Sequence, residues 1–350
     1  MSQKTILICL KSSLLFGLLL IFQPIQSQSK WSDLDNIFQQ KQQLLGKDLV
    51  MMVANKDTIV YKKEMGDFKS KTQAPIASAS KWFTAALIMI LVDEGKLSLD
   101  DYVVNYIPEF GKYFKNYITI RQCLSHMTGI KEEGGTIRNI LQRKKFESLE
   151  EEVNAIASKE IEGKPGTIFR YSGFGLNIAG RIAEVVTKKK FDQLIKLKLL
   201  TPLGMRNTTF TDQNMGPVNP SGGARSTADD YMRFLTMLLN KGNYKGKQII
   251  SEESVSVMLE IQTKTEQIKY APKAAQGFNY AVGSWVVEEK DGKALTVASP
   301  GLFGTWPMVD FCRGYAYLVF VKNLLGEERA DAHLEIKKIV DEQFKNNCNN

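Results

Sequence analysis

From Ser78 to Glu94 the chain is apolar on nearly every side of a helix, and the pattern stops at Gly95. A helix without a polar face is a buried helix. The rest of the sequence has to enclose it. Leu49–Ala54 and Thr58–Tyr61 are short β-type runs around Asn55-Lys56-Asp57, a hairpin pattern. The middle of the chain is mostly helical. Leu176–Lys190 carries apolar residues at helical spacing, and Ser226–Lys241 opens on a Ser226…Asp229 capping pattern and ends at Gly242. The last third turns to strands at Tyr280–Glu288, Ala294–Ala298, Thr305–Asp310 and Tyr315–Lys322. It closes with an amphipathic helix, Asp331–Asn346, whose apolar face is Ile336, Val340 and Phe344. The expected fold is α/β of the α+β kind. The N-terminal hairpin pairs with the C-terminal strands in one antiparallel sheet, helices flank it, and the helical block forms a second lobe. A crevice between the lobes is the natural place for a site.

Composition sets outer limits. The chain has 350 residues, 43% apolar and 24% charged, which excludes disorder, collagen and a coiled coil as whole-chain descriptions. The net charge of +8 is spread along the chain, so no nucleic-acid arm is visible.

The first residues read as a processing segment. Lys4 and Lys11 precede an apolar run, Leu14–Phe22, that is too short to span a bilayer. Gln23, Pro24 and small Ser27 follow, as at the end of a secretory signal peptide cut after residue 27. The expected location is the periplasm or the cell exterior, and the membrane is a partner only if this segment stays uncleaved. Cys9 leaves with it. Cys123, Cys312 and Cys348 remain, which allows one disulfide with the pairing open. With His126 and His333 as the two histidines, no metal site is expected.

Chemistry enters at the start of the buried helix. In Ser78-Ala79-Ser80-Lys81, positions 78 and 81 share a helix face, so the Ser78 hydroxyl and the Lys81 amine can meet. The positive end of the helix dipole and burial both push a lysine there toward the neutral amine. A serine beside such a base is an activated nucleophile. Ser80 is the rival nucleophile but lacks the one-turn spacing to Lys81. Ser27-Gln28-Ser29-Lys30 has the same spacing by chance.

Longer stretches resemble a known family. "LVDEGKLSLDDYVVNYIPEF" after the serine, "ITIRQCLSHMTGI" at 118–130, "PGTIFRYSGFGLNIAG" at 165–180, "LGMRNTTF" at 203–210 and "GGARSTADDYMRFLTMLL" at 222–239 are similar to blocks of the serine β-lactamase and penicillin-binding protein superfamily, in its class C branch. The resemblance covers most of residues 48–325. It implies a β-lactamase/transpeptidase-like domain over residues 28–350, with a sheet lobe at about 28–77 and 246–350 and a helical lobe at about 78–245. It implies Ser78 as the acylated nucleophile, Lys81 as its proton partner and Tyr171 as the tyrosine of the Tyr-x-Asn motif. The N–H groups of Ser78 and Leu302 would form the oxyanion hole. No cofactor is implied.

Two positions depart from the family pattern. Gly173 stands where the family has an asparagine that holds the acyl-amide of the substrate. Ser299-Pro300-Gly301 stands where the family has Lys-Thr-Gly or His-x-Gly. Gly301 keeps the glycine that lets backbone approach a ligand, while Ser299 replaces the cation with a hydroxyl. These departures point toward hydrolysis of esters or small amides, with D-amino-acid peptides of the cell wall and β-lactams as further candidates. The alternative is a non-hydrolytic protein on the same fold that binds cell-wall fragments or penicillin. The loops Lys131–Glu151 and Lys264–Gln276 are expected to set the substrate. His126 reads as a structural turn residue and His333 as an exposed one. Trp285 and Trp306 flank the site strands and are candidates to line a pocket.

Overall fold

The computed structural model describes residues 30–132, 143, 145–210, 216–321 and 329–348. The segment expected to be a signal peptide, residues 1–27, lies outside these residues. Within them, none of the helices is long and apolar enough to cross a membrane.

Both ends of the chain build one sheet. The strands are β1 (Leu49–Ala54), β2 (Ile59–Met65), β3 (Asn279–Tyr280), β4 (Trp285–Lys290), β5 (Lys293–Ala298), β6 (Trp306–Asp310) and β7 (Tyr315–Val321). Their order is β2-β1-β7-β6-β5-β4-β3, every neighbour antiparallel. The hairpin is as expected. Asn55 shapes its turn by accepting from the N–H groups of Asp57 and Thr58. Strands β1 and β7 pair from Leu49↔Val321 to Ala54↔Ala316, so the first and last strands of the sequence lie side by side within the sheet.

Both strands are buried on both faces, and their residues divide by parity. Leu49, Met51 and Val53 of β1, with Tyr317 and Val319 of β7, pack under α1 (Ser32–Leu45) and the C-terminal helix, here α6 (Ala330–Asp341). Val50, Met52, Leu318 and Phe320 face the opposite core, which holds α2 (Ser80–Asp93), α4 (Phe174–Thr187) and α5 (Ala228–Leu239). Helix α3 (Leu149–Ala157) packs on α4. Helix α2 is buried from Ser80 to Leu91, as its apolar sequence requires.

Local departures from the sequence reading have physical causes. The run Tyr280–Glu288 is broken into β3 and β4. Gly283, at φ +85°, takes the left-handed conformation that turns the chain there, and only glycine fits because a Cβ would overlap Ala85 of α2. The cap of α5 is Thr227, whose hydroxyl accepts from the Asp230 N–H at 3.1 Å, rather than Ser226. The serine of the predicted helix start sits two residues ahead of α2, in a 3-10 turn over Ala77–Ala79 that leads straight into it.

His333 is 2% exposed, not a surface residue. Its ring stacks on Trp306, and its Nδ1 meets the Tyr317 hydroxyl at 3.0 Å. Trp306 therefore belongs to the α6 side of the sheet and lines no crevice. Cys312 and Cys348 form a disulfide that ties the chain after α6 to the β6–β7 turn. Cys123 is a buried thiol, and burial pushes its ionisation up. Lys337, buried, is held by Glu288 at 2.9 Å, Asp310 at 3.3 Å and Asp341 at 2.8 Å, which locks α6 to the sheet.

Candidate active site

The turn that carries Ser78 is sharp and pinned on both sides. Ala77 sits at φ +44°, a conformation a non-glycine residue holds only where its surroundings over-determine it. The Ile76 N–H donates to the Ala224 carbonyl at 3.0 Å. Ser80 is wholly buried. Its hydroxyl donates to the Ala77 carbonyl at 2.6 Å and accepts from the Ala224 N–H at 3.0 Å. The rival nucleophile is thus a structural clamp, and its neighbour Ser78 is left partly exposed at the head of α2.

Lys81 points back over one helical turn. Its Nζ lies 3.1 Å from the Ser78 Oγ and 2.8 Å from the Ser221 carbonyl oxygen. The residue is 4% exposed. Burial pushes its amine down to about 7, against a smaller upward pull from the Glu132 carboxylate. A neutral amine has two N–H donors and one lone pair, so it can donate to the Ser221 carbonyl and still accept the Ser78 proton. Tyr171 covers this pair, with its ring centroid 4.8 Å from the Lys81 Nζ. Its backbone N–H donates to the Tyr270 carbonyl at 3.1 Å, and its ring packs on Trp285 and His126. Trp285 thus supports the site from behind, itself buried.

His126 works as a clamp. Its Nε2 meets the Tyr280 hydroxyl at 3.1 Å and its Nδ1 accepts from the Ser172 N–H at 3.4 Å. Its carbonyl accepts from the Arg170 N–H at 3.0 Å. Burial, with the Lys81 charge, holds the ring well below the usual imidazole range, so it stays neutral. These bonds fix the segment that carries Tyr171.

The loop after β5 lies directly against the nucleophile turn. A Cβ on Gly301 would overlap the Ile76 carbonyl oxygen, so only glycine lets the two backbones meet. The Gly301 N–H donates to the Thr305 carbonyl at 2.8 Å, and the Gly304 N–H to the Gly301 carbonyl at 2.8 Å, which shapes the loop around Leu302. Ser299 is 4% exposed at the strand end, and its N–H is taken by the Pro307 carbonyl at 3.1 Å.

Gly173 is the N-cap of α4. A Cβ at that position would stand 2.9 Å from the Ser221 Oγ, so the space a side chain would enter is already walled. Ser221 is itself fixed. Its hydroxyl donates to the Asn219 Oδ1 at 2.8 Å, and its N–H donates to the Asn177 Oδ1 at 3.0 Å. Asn177 donates in turn to Glu152, which Arg143 pairs at 2.6 Å. Lys81 is therefore aimed by a buried polar chain running through α4 and α3. Sequence reasoning missed Ser221, Asn177 and Glu132. The one available sign was Asn177, a polar residue on the apolar face of a helix.

The sequence pattern of the family described as Beta-lactamase matches residues 34–341. The chain belongs to the beta-lactamase family. Among curated proteins, Protein Rv1367c of Mycobacterium tuberculosis is 28% identical over 67% of this chain and 73% of its own length. Protein flp of Staphylococcus aureus is 35% identical over 41% of this chain and 29% of its own length. Among solved structures, a Bacteroides dorei protein assigned to the beta-lactamases superposes with a TM-score of 0.76 at 28% identity, over 88% of this chain and 99% of that one. The fold is also that of EstCE1, described as a hydrolase with promiscuous acyltransferase activity, with a TM-score of 0.74 at 19% identity over 90% and 99% of the two chains. The antiparallel sheet flanked by helices is thus the serine β-lactamase and penicillin-binding protein fold.

Proposed function

We propose that this beta-lactamase family member is an exported serine hydrolase that cleaves ester or small amide bonds through an acyl-enzyme on Ser78. One observation carries the reading: a buried lysine, with its amine near neutrality, lies 3.1 Å from the hydroxyl of a serine at a helix start. A lysine in that place is unfavourable for the fold unless it is used.

In the proposed cycle, the Lys81 amine takes the Ser78 proton as Oγ bonds to the substrate carbonyl carbon. The N–H groups of Ser78 and Leu302 receive the developing oxyanion. The proton then passes to the leaving group, through Tyr171 or directly from Lys81. Water, deprotonated by the same pair, releases the acyl group and restores Ser78. The scheme needs only this chain's own residues.

Two features support esters and small amides over β-lactams and D-amino-acid peptides. Glycine at 173 offers no amide to a bound acyl-amide, and Ser221 fills the adjoining space. Ser299 offers a hydroxyl in place of a cation, so a substrate carboxylate gains no charge partner there. The fold admits such substrates, since EstCE1 shares it and is described as a hydrolase with promiscuous acyltransferase activity. The same two features motivate the second reading, a cell-wall-fragment or penicillin-binding protein without turnover. Export is supported by the basic-then-apolar start of the chain and by the Cys312–Cys348 disulfide.

Intact mass after incubation with a fluorophosphonate, and separately with benzylpenicillin, tests the proposal, with Ser78→Ala as control. A fluorophosphonate adduct lost in the variant is expected. A lasting penicillin adduct would favour penicillin binding, and one that forms and decays quickly a β-lactamase. Folded protein that takes neither label would overturn the acyl-enzyme.

A further inference from the structure

Glu132 is placed at the site by backbone rather than by its own helix or strand. Ile130 bridges Ile161, and the Lys131 N–H donates to the Glu160 carbonyl at 2.9 Å, so the chain is pinned up to the residue before it. Beyond that bridge the Glu132 carboxylate accepts from the Gly173 N–H at the start of α4. It is half-buried there, within electrostatic reach of Lys81, Lys159 and Arg170. Arg170 is already engaged by Glu162. Lys159 lies over the Phe174 ring. Lys81 is the cation of the catalytic pair, and Glu132 is the acid that acts on it. The backbone group at the family's asparagine position is thus claimed by a carboxylate from another loop.

We propose that Glu132 is a positioning residue for the proton transfer, the counter-charge that stabilises Lys81 once the lysine has taken the Ser78 proton. This rests on the acyl-enzyme reading above. The step balances. The Ser78 O–H bond breaks as its oxygen bonds to the carbonyl carbon, and the proton makes Lys81 an ammonium facing the Glu132 carboxylate. The proton then goes to the leaving oxygen or nitrogen as its bond to carbon breaks, and Lys81 returns to the amine. The carboxylate favours the charged lysine that forms as Ser78 gives up its proton, which lowers the barrier from the amine form, and the same attraction keeps part of the resting lysine protonated near pH 7. Burial also holds Glu132 up at about 7, so the reactive form, amine plus carboxylate, needs both groups deprotonated. Among the described residues, the other titratable groups facing the pair are neutral His126, Tyr171, and the cations Lys159 and Arg170.

The test is Glu132→Gln, which keeps an acceptor for the Gly173 N–H and removes the charge, with Glu132→Asp as the conservative variant. The readouts are the pH profile of p-nitrophenyl acetate acylation and a 15N-lysine NMR titration of Lys81 in the full chain. Wild type should show a steep acid limb near pH 7 that reflects two coupled groups. In Glu132→Gln the limb should become shallower and move about one pH unit toward acid. The plateau should fall about tenfold, and the Asp variant should restore part of the slope. A Gln profile that superimposes on wild type in position and slope would overturn the proposal, as would a Lys81 titration that does not move. If wild type is not acylated at any pH, the hydrolase reading and the proton-transfer role fall together, and the Lys81 titration then decides only whether Glu132 is its counter-charge.

Discussion

Replacing Lys81 by arginine separates charge from basicity. The positive charge one turn from Ser78 is kept, but a guanidinium does not give up a proton at accessible pH. An ordinary lysine amine, near 10.5, is neutral in about one molecule in 3,000 at pH 7. With its amine at about 7, Lys81 is neutral in roughly half. Burial thus supplies about three orders of magnitude in available base, and arginine discards all of it. A general base contributes on the order of 10²–10⁴ to such a step, so Lys81→Arg should lower kcat/KM for p-nitrophenyl acetate by about 10³ or more. The assay is release of p-nitrophenol between pH 5 and 10, with the rate of fluorophosphonate labelling as an independent measure of Ser78 reactivity. The wild-type rate should climb through about pH 7 as Lys81 deprotonates. Arginine labelled within tenfold of wild type would refute the reasoning, and so would a wild-type rate flat from pH 5 to 8.

The same burial makes a stability prediction. Lys81→Met should raise the Tm at pH 7 while abolishing turnover, a gain of about 2 kcal/mol after the lost hydrogen bonds. Between about pH 7 and 10.5 the unfolded lysine binds more protons than the folded one, so wild-type stability rises with pH and the gap between the two proteins should close. A gap constant from pH 7 to 10 would contradict the assignment. Gly301→Ala places a Cβ against the Ile76 carbonyl and should push the Leu302 loop off the nucleophile turn. We expect kcat to fall by about 10² with a smaller change in stability, measured by ester turnover beside thermal melting. Cys348→Ser opens the Cys312–Cys348 link and should cost roughly 2–4 kcal/mol. Denaturant unfolding with and without reductant checks this, because reductant should lower wild type to the level of the variant and leave the variant unchanged.

Much of the fold was legible because burial writes itself into residue order. Apolar runs in β1 and β7 and an all-round apolar α2 leave few arrangements other than a covered sheet against a central helix. The pairing of Ser78 with Lys81 was legible for a similar reason, since one helical turn fixes their separation. Boundaries were less so. The break between β3 and β4 depends on where Gly283 meets Ala85, a contact far apart in sequence. His333 read as exposed because a histidine on an amphipathic helix carries no sign of the Tyr317 and Trp306 side chains that receive it.

The sequence by itself determined the local chemistry: a serine and a lysine one turn apart, a glycine where an amide side chain would stand, a strand-end serine in place of a cation. Helical geometry and the absence of side-chain atoms are properties of neighbouring residues, so they need no tertiary contact. The tertiary structure decided how that chemistry is tuned. Only the packed chain brings the Ser221 carbonyl to the lysine, sets Glu132 on the Gly173 N–H, and removes Lys81 from water. Desolvation and electrostatic coupling act through space between groups from separate segments, and so they arise only when those segments fold together.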